Sequence, residues 1–248
     1  MKIAVRGGHS LDIRGASSFL DEVNEDRKIK DAVIKYLKQM GHEVLDVTPS
    51  KSGSSGSDLN YGVSKANTWA ADYFYSIHLN AGGGKGTEVL YYKGSSKGNA
   101  MATNIVKKIE VLGFVNRGAK ADTRGLYELR HTNMTANIVE VCFVDTKSDA
   151  DLYNSIGVNK IAKAITEGIT GQTIAIENKH KDAVNYCLEF RRFFNKVTQT
   201  LAPISEDGKY GSSTQKALDR LYSYIKQGRK YKYCLEFQKW YNNYRFDI

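Results

Sequence analysis

Two histidines stand where strand-like segments end, at positions from which side chains often reach a bound ion or substrate. His9 follows Lys2–Val5 in Gly7-Gly8-His9-Ser10, and His78 lies near the end of Tyr73–Leu79. The carboxyl ends of parallel strands line the ligand crevice of an open α/β sheet, so the two imidazoles can converge at one sheet edge. The glycines before His9 allow backbone and ligands to approach closely. The alternative is two unrelated histidines, each satisfied by its own hydrogen bonds.

Two carboxylates on one helix compete for a place beside these histidines. Residues 22–40 carry an apolar stripe at helical spacing, formed by Ile29, Val33, Leu37 and Met40. At about 100° per residue, Glu22 lies about 20° from Val33, in the middle of this stripe, and Asp26 shares the same face. A carboxylate there is costly unless it is paired or metal-bound. A favourable place at the positive end of the helix dipole would also explain either acid, so geometry alone leaves Glu22 and Asp26 as rivals.

Glu140 interrupts a segment that is otherwise apolar. It lies in Ile138-Val139-Glu140-Val141-Cys142-Phe143-Val144, a composition typical of a central strand. An unpaired acid inside such a strand is expensive, and acids in this setting tend to be functional or tightly ion-paired. The segment therefore predicts either a catalytic carboxylate or a salt bridge from Glu140 to a neighbouring basic residue.

Two histidines and one glutamate form a suitable ligand set for one catalytic zinc ion (Zn2+), with the fourth position left to water. Zinc lowers the pKa of that water toward about 7. A second glutamate, which is not a ligand, can then act as general base and return the proton to a leaving amine. The sequence supplies acids in two separate places. It contains no H-E-x-x-H, which excludes a zincin-type protease.

Segments with strand and helix character alternate along the first 170 residues. Strands are predicted at Lys2–Val5, Glu43–Val47, Tyr73–Leu79, Thr87–Tyr92, Leu126–Leu129 and Ile138–Val144. Helices are predicted at roughly 22–40, 59–70, 96–112 and 148–168. This alternation predicts an α/β fold with a twisted mixed, mostly parallel sheet and helices on both faces.

The pattern becomes fully helical near the C-terminus. We predict a catalytic domain over residues 1–171, a linker over 172–179 and a small all-α three-helix domain over 180–248. Of the net charge of +9, residues 1–170 carry +3 and residues 171–248 carry +6. A basic module suggests an anionic partner: nucleic acid, an acidic membrane or an anionic cell wall. The sequence contains no stretch of 18 apolar residues, which predicts no membrane span, and its N-terminus lacks the apolar core of a secretory signal.

Five segments occur in an order that resembles a known enzyme family. They are Gly8-His9-Ser10, Glu22 nineteen residues before Gly41, Ser76-Ile77-His78-Leu79-Asn80-Ala81, Asn116-Arg117-Gly118-Ala119-Lys120 and Val139-Glu140-Val141-Cys142-Phe143-Val144-Asp145. Together, over residues 1–170, they resemble the zinc-dependent N-acetylmuramoyl-L-alanine amidases, and most closely the amidase domains of bacteriophage endolysins that attack Gram-positive cell walls. The loop after His9 is short and lacks the second glycine-rich run of many bacterial autolysins, which favours the phage type.

The resemblance implies which side chains hold the metal. His9, Glu22 and His78 take the zinc-ligand positions of the family. The family's spacing from the helix-end glycine, here Gly41, selects Glu22 over Glu25 and Asp26. One catalytic zinc ion is therefore the implied cofactor.

The resemblance also implies the reaction and the residues that meet the substrate. Glu140 takes the catalytic acid/base position. Asn80 and Arg117 lie in segments that line the family's groove, so they are candidates for substrate binding. The family hydrolyses the amide between N-acetylmuramic acid and L-alanine in peptidoglycan, which implies an endolysin causing lysis of a Gram-positive host. Such a protein would be made in the host cytoplasm without a signal peptide and would act on the cell wall after release.

The C-terminal part carries a second resemblance. The segment 207–218, Asp-Gly-Lys-Tyr-Gly-Ser-Ser-Thr-Gln-Lys-Ala-Leu, is similar to the signature loop and helix of small three-helix peptidoglycan-binding domains. Asp207-Gly208 is a typical turn, and Ser212 or Ser213 can cap the helix that follows. Together with its charge, this predicts a wall-binding module whose partners include anionic cell-wall polymers.

Three other interpretations compete with a phage amidase. A bacterial amidase of sporulation or wall turnover would use the same chemistry. A basic nucleic-acid-binding protein would explain the charged C-terminal part, but it leaves Glu140 and the two histidines unexplained, and the sequence has no recognised nucleic-acid motif. A wall binder with a dead site conflicts with the presence of all four key side chains.

Overall fold

A computed structural model describes residues 1–174 and six positions beyond them: Phe194, Asn195, Lys216, Ala217, Asp219 and Arg220. Contacts between Cα atoms divide the chain into two units, Met1–Ile174 and Ala175–Ile248, of which the first is described in full. Apart from these six positions, the predicted helical module over 180–248 lies outside the described residues, as does most of the predicted linker, so both stay predictions.

A six-stranded sheet forms the centre of the first unit. Its strands are β1 (Lys2–Gly7), β2 (Glu43–Asp46), β3 (Tyr73–Asn80), β4 (Thr87–Tyr92), β5 (Asn116–Asp122) and β6 (Thr135–Phe143). They lie in the order β2-β1-β3-β6-β4-β5. All neighbouring pairs are parallel except β4 and β6, which are antiparallel. The prediction of a mixed, mostly parallel sheet is therefore confirmed.

Helices cover both faces of this sheet, as predicted. They are α1 (Glu22–Gln39), α2 (Ser55–Thr68), α3 (Ser96–Glu110), α4 (Tyr127–His131), α5 (Lys147–Ile156) and α6 (Val158–Thr170). Helices α1, α3, α5 and α6 bury their apolar residues with Val5, Ile77 and Val139 of the sheet. Helices α2 and α4 contribute to a smaller core with Phe74 and Ile138 on the alternate strand positions. Successive residues of a strand face opposite sides, which is why one sheet feeds two cores. No described helix is long and apolar enough to cross a membrane.

Three elements differ from the sequence predictions. The strand predicted at Leu126–Leu129 is wrong, because these residues lead into the short helix α4. Strand β5 was not predicted, since its polar sequence buries only Asp122 fully at the edge of the sheet. The single helix predicted over 148–168 is two helices, α5 and α6, separated by Gly157 at φ 79°. A glycine adopts this left-handed conformation without steric cost and so ends α5 there.

Candidate metal centre and adjoining groove

The carboxyl ends of β1 and β3 and the start of α1 bring together three side chains that could hold a metal ion. His9 follows β1, His78 lies in β3, and Glu22 begins α1. One ligand atom from each of the three lies within 4.8 Å of the others. His9 Nε2 and His78 Nδ1 are each 3.2 Å from Glu22 Oε1. The structure thus brings together the three residues that the sequence singled out as zinc ligands.

Backbone amides and two glycines hold these side chains in place. The amide of Ala16 donates to Glu22 Oε2 at 2.8 Å, and the amide of Leu79 donates to Glu22 Oε1 at 3.2 Å. Gly15 lies at φ 69°, and a Cβ there would lie 2.6 Å from His9 Nε2. A Cβ at Gly8 would overlap the ring of His78. The cluster therefore depends on glycine at both positions.

The rival acid, Asp26, lies beside the cluster but outside it. Its Oδ2 accepts a hydrogen bond from the amide of His9 at 3.2 Å, while its Oδ1 is buried without a hydrogen-bond partner. Burial raises the pKa of Asp26 to about 7. Burial also raises the pKa of Glu22, but hydrogen bonds from His78 and His9 more than offset this and hold it far below its usual range. Glu22 is thus the ionised acid next to both imidazoles, and Asp26 supports the backbone of His9.

The chemistry of the donor set fits zinc. Two imidazole nitrogens and one carboxylate oxygen are the ligands of a common type of catalytic zinc site, in which the fourth position stays open. Glutamates also surround His78: burial lowers its pKa, but Glu128 and Glu22 raise it well above its usual value. The carboxylates of Glu22 and Glu128 on the two sides of His78 thus favour a cation at this site.

Glu140 lies next to this cluster in the sheet. On β6 it pairs in register with His78 of β3 on one side and with Glu88 of β4 on the other. Its Oε2 is buried without a hydrogen-bond partner, and no basic residue in the described part of the chain forms an ion pair with it. Burial raises the pKa of Glu140 to about 7, and the charges of Glu22 and Glu88 add to this. These contacts weaken the salt-bridge explanation for Glu140 and leave a carboxylate able to exchange a proton near neutral pH.

A groove of about 460 Å³ runs from Glu140 toward β5 and contains both predicted substrate-binding residues. Asn80 Nδ2 donates to Glu88 Oε1 at 3.0 Å, and Arg117 Nε donates to Glu88 Oε2 at 2.9 Å. Arg117 also lies over the ring of Phe143, 4.9 Å from its centroid. Glu88 therefore fixes the two groove residues relative to each other, a role that the sequence analysis missed.

The sequence analysis also missed a buried ionic pair behind the cluster. Arg6 is fully buried, and its Nη1 lies 3.1 Å from Glu128 Oε1. Glu128 Oε2 lies 3.9 Å from His78 Nε2. The sequence does carry a signal for Arg6, because this charged residue directly follows three apolar residues of β1. Glu128 gave no comparable signal, since it was assigned to a strand that does not exist.

Comparison with known proteins agrees with the geometry. The family model described as N-acetylmuramoyl-L-alanine amidase matches residues 3–171. An uncharacterized protein of Clostridium perfringens is 38% identical over 229 residues, which cover 90% of this chain and 66% of that protein. The N-acetylmuramoyl-L-alanine amidase CwlM of Bacillus licheniformis is 31% identical over 174 residues, 68% of this chain and 67% of the amidase.

A solved structure extends the likeness to three dimensions. The catalytic domain of the CD27L endolysin, which targets Clostridia difficile, is 33% identical with a TM-score of 0.64, covering 70% of this chain and 99% of that domain. The chain spans between half and two thirds of the length of the first curated relatives it matches.

Proposed function

Because this chain belongs to the N-acetylmuramoyl-L-alanine amidase family, we propose that it hydrolyses the amide bond between N-acetylmuramic acid and L-alanine in bacterial peptidoglycan. The observation that carries the proposal is the convergence of His9, Glu22 and His78 within 4.8 Å, with Glu140 beside His78 in the sheet. The four side chains come from the loop after β1, the start of α1, and strands β3 and β6. Hydrogen bonds from backbone amides to Glu22 hold its carboxylate before any metal arrives.

His9 Nε2, Glu22 and His78 Nδ1 would hold one zinc ion. When bound, zinc supplies Lewis acidity, which polarises the scissile carbonyl and makes water a stronger acid. Glu140 accepts a proton from the attacking water at its unpartnered Oε2 and delivers it to the amine of L-alanine as the amide bond breaks. A pKa of about 7 suits both halves of this transfer, since the carboxylate must release the proton it has taken.

The groove beside Glu140 would bind the substrate next to the reacting amide. Asn80 and Arg117 present an amide and a guanidinium to this groove, and Glu88 orients both. These groups match the hydrogen-bond donors and acceptors of a peptide stem. Oriented contacts of this kind place the scissile bond within reach of Glu140.

We place the action of the enzyme on Gram-positive cell walls as an endolysin, consistent with its likeness to an endolysin catalytic domain. It would be made in the host cytoplasm, reach the wall after release and lyse the host cell. Residues 180–248 would bind the wall, since they contribute most of the positive charge and would attract anionic wall polymers. Sacculi stripped of these polymers should bind the full chain more weakly than untreated sacculi do.

The test of the reaction uses purified full-length protein and Gram-positive sacculi, with and without a chelator. Mass spectrometry should find stem peptides with free N-terminal L-alanine, lost on chelation and restored by zinc. New reducing sugars, or cleavage between amino acids, would show that another bond is cut.

Glu140→Gln separates the acid/base role from metal binding. The variant should retain stoichiometric zinc and lose turnover by at least about 100-fold, the usual contribution of a general base. Loss of zinc from this variant would make Glu140 a ligand and contradict the proposed division of roles.

A further inference from the structure

Glu128 lies behind His78, on the side of the imidazole away from the ligand cluster. His78 Nδ1 is 3.2 Å from Glu22 Oε1, whereas His78 Nε2 is 3.9 Å from Glu128 Oε2. Helix α4 carries Glu128 into the protein, where its exposed fraction is 2%, and the next residue, Leu129, anchors the helix in the smaller core. A carboxylate therefore lies near each ring nitrogen of His78, but only the one at Nδ1 belongs to the ligand cluster.

Arg6 forms an ion pair with the carboxylate of Glu128. Its Nη1 lies 3.1 Å from Glu128 Oε1. The same guanidinium donates to the carbonyl oxygens of Gly7 at 3.0 Å and Gly8 at 2.8 Å, and it forms an ion pair with Asp58. Because these other contacts already hold Arg6, its position does not depend on Glu128. Glu128 thus faces a fixed positive charge.

The ion pair with Arg6 places a carboxylate on the Nε2 side of the His78 imidazole. An ionised carboxylate only accepts hydrogen bonds, so it favours the imidazole tautomer that carries a proton on Nε2. When His78 Nδ1 binds a metal ion, the remaining ring proton lies on Nε2, the side on which Glu128 lies.

We propose that Glu128, held by Arg6, is a positioning residue that sets the tautomer and the ring orientation of His78 for metal binding. The inference rests on the proposed zinc centre. A movement of about 0.7 Å closes the distance between Nε2 and Oε2 to hydrogen-bond length. Outer partners of this kind fix a ligating histidine and commonly change metal affinity 10–100-fold when removed.

The experiment measures zinc affinity of the full chain by chelator competition, without substrate. Glu128→Gln preserves the shape of the side chain but removes its charge. We expect a zinc dissociation constant about 10–100-fold weaker than that of the native protein. The matched control is Glu167→Gln: Glu167 is also a buried acid, paired with Lys108 at 3.2 Å, and it touches none of the three ligands. This control should keep native zinc affinity.

A second variant separates positioning from a purely structural role. Glu128→Asp keeps the charge near Arg6 but withdraws it from His78, so the fold should persist while zinc affinity still falls. NMR of 15N-labelled histidine in the zinc-bound proteins should show a hydrogen-bonded proton on His78 Nε2 in the native chain and a weaker bond at this proton in Glu128→Gln. If both variants fold and bind zinc as tightly as the native chain, the only role of Glu128 is its ion pair with Arg6, and the inference is refuted.

The same titrations distinguish failure of this inference from failure of the proposed function. A native chain that binds no zinc would overturn both. A native chain that binds zinc and releases stem peptides, alongside a Glu128→Gln variant of equal zinc affinity, would overturn the role of Glu128 alone.

Discussion

Replacing Gly15 by alanine should weaken the proposed zinc binding by at least about 100-fold without unfolding the protein. A Cβ at this position would lie 2.6 Å from His9 Nε2 and closer still to Glu22 Oε2. Ordinary contact with a Cβ begins at 3.4 Å, so the methyl group would displace the ligand nitrogen by about 0.8 Å. Zinc sites tolerate departures of only about 0.2 Å in their ligand distances. We therefore expect zinc affinity to fall by at least about 100-fold, the upper end of what changes outside the ligand shell produce.

Gly53→Ala is the matched control for this substitution. Gly15 and Gly53 have similar left-handed backbones, with φ of 69° and 74°, but a Cβ at Gly53 meets no atom within 4 Å. Both variants should lose about 1–2 kcal/mol of stability, because alanine is strained at positive φ. Only Gly15→Ala should also lose zinc.

Zinc content by elemental analysis and dissociation constants by chelator competition provide the assay. Thermal unfolding of the zinc-free forms measures the strain that the two variants share. A Gly15→Ala protein that binds one zinc ion with near-native affinity would refute the reasoning, because His9 and Glu22 could then not be the ligands in the arrangement described.

Two further substitutions test the packing and the electrostatics of the first unit. Because burial raises the pKa of Asp26 from 3.8 to about 7, the folded protein keeps a proton that the unfolded chain releases, and stability falls as pH rises between these values. The test compares the free energy of unfolding of zinc-free Asp26→Asn with that of the native protein. The variant should gain more over the native protein at pH 8 than at pH 4, by at most about 4 kcal/mol. An equal stability difference at both pH values would argue against this. Gly168→Ala should cost about 1–3 kcal/mol in urea unfolding and leave zinc affinity unchanged, since its Cβ would lie 2.5 Å from Ile105 Cα where α6 packs on α3. Gly56→Ala, with open space around its Cβ in α2, should not destabilise the protein at all.

Sequence periodicity was sufficient for the buried strands and the long helices. Strands β1, β2, β3, β4 and β6 and helices α1 and α3 lie within three residues of their predicted bounds, because burial demands apolar residues at fixed spacing. Strand β5 escaped detection for the converse reason. An edge strand buries little, so Asn116–Asp122 is mostly polar and lacks the alternation on which strand prediction depends.

The choice between Glu22 and Asp26 could not be made from helical periodicity alone. Glu22 and Asp26 lie at about the same angle from the apolar stripe of the helix, so their angular positions do not distinguish them. Their positions along the axis differ by one turn, about 6 Å. Glu22 begins α1 at the edge where His9 and His78 meet, and Asp26 lies deeper against the backbone of His9. Only the placement of the helix end on the sheet distinguishes them.

Contacts between distant segments account for what the sequence could not reveal. Glu128 is fifty residues from His78, and no local pattern relates a short helix to a strand end so far away. Glu88 likewise acquires its role by lying beside Glu140 in the one antiparallel pair of the sheet, with Asn80 and Arg117 on its two oxygens. The contacts between these distant segments had to be known before a role could be assigned to Glu88 or Glu128.

Strand β5 has a consequence for the behaviour of the protein in concentrated solution. It is one of the two edges of the sheet, and its residues also line the groove. Unpaired strand edges invite pairing with another molecule, and charged side chains along an edge discourage it. Arg117 and Lys120, which line the groove, would therefore discourage pairing at this edge. Neutral substitutions on β5 would change both aggregation and substrate contact, so their kinetic effects should be read only from samples shown to be monodisperse.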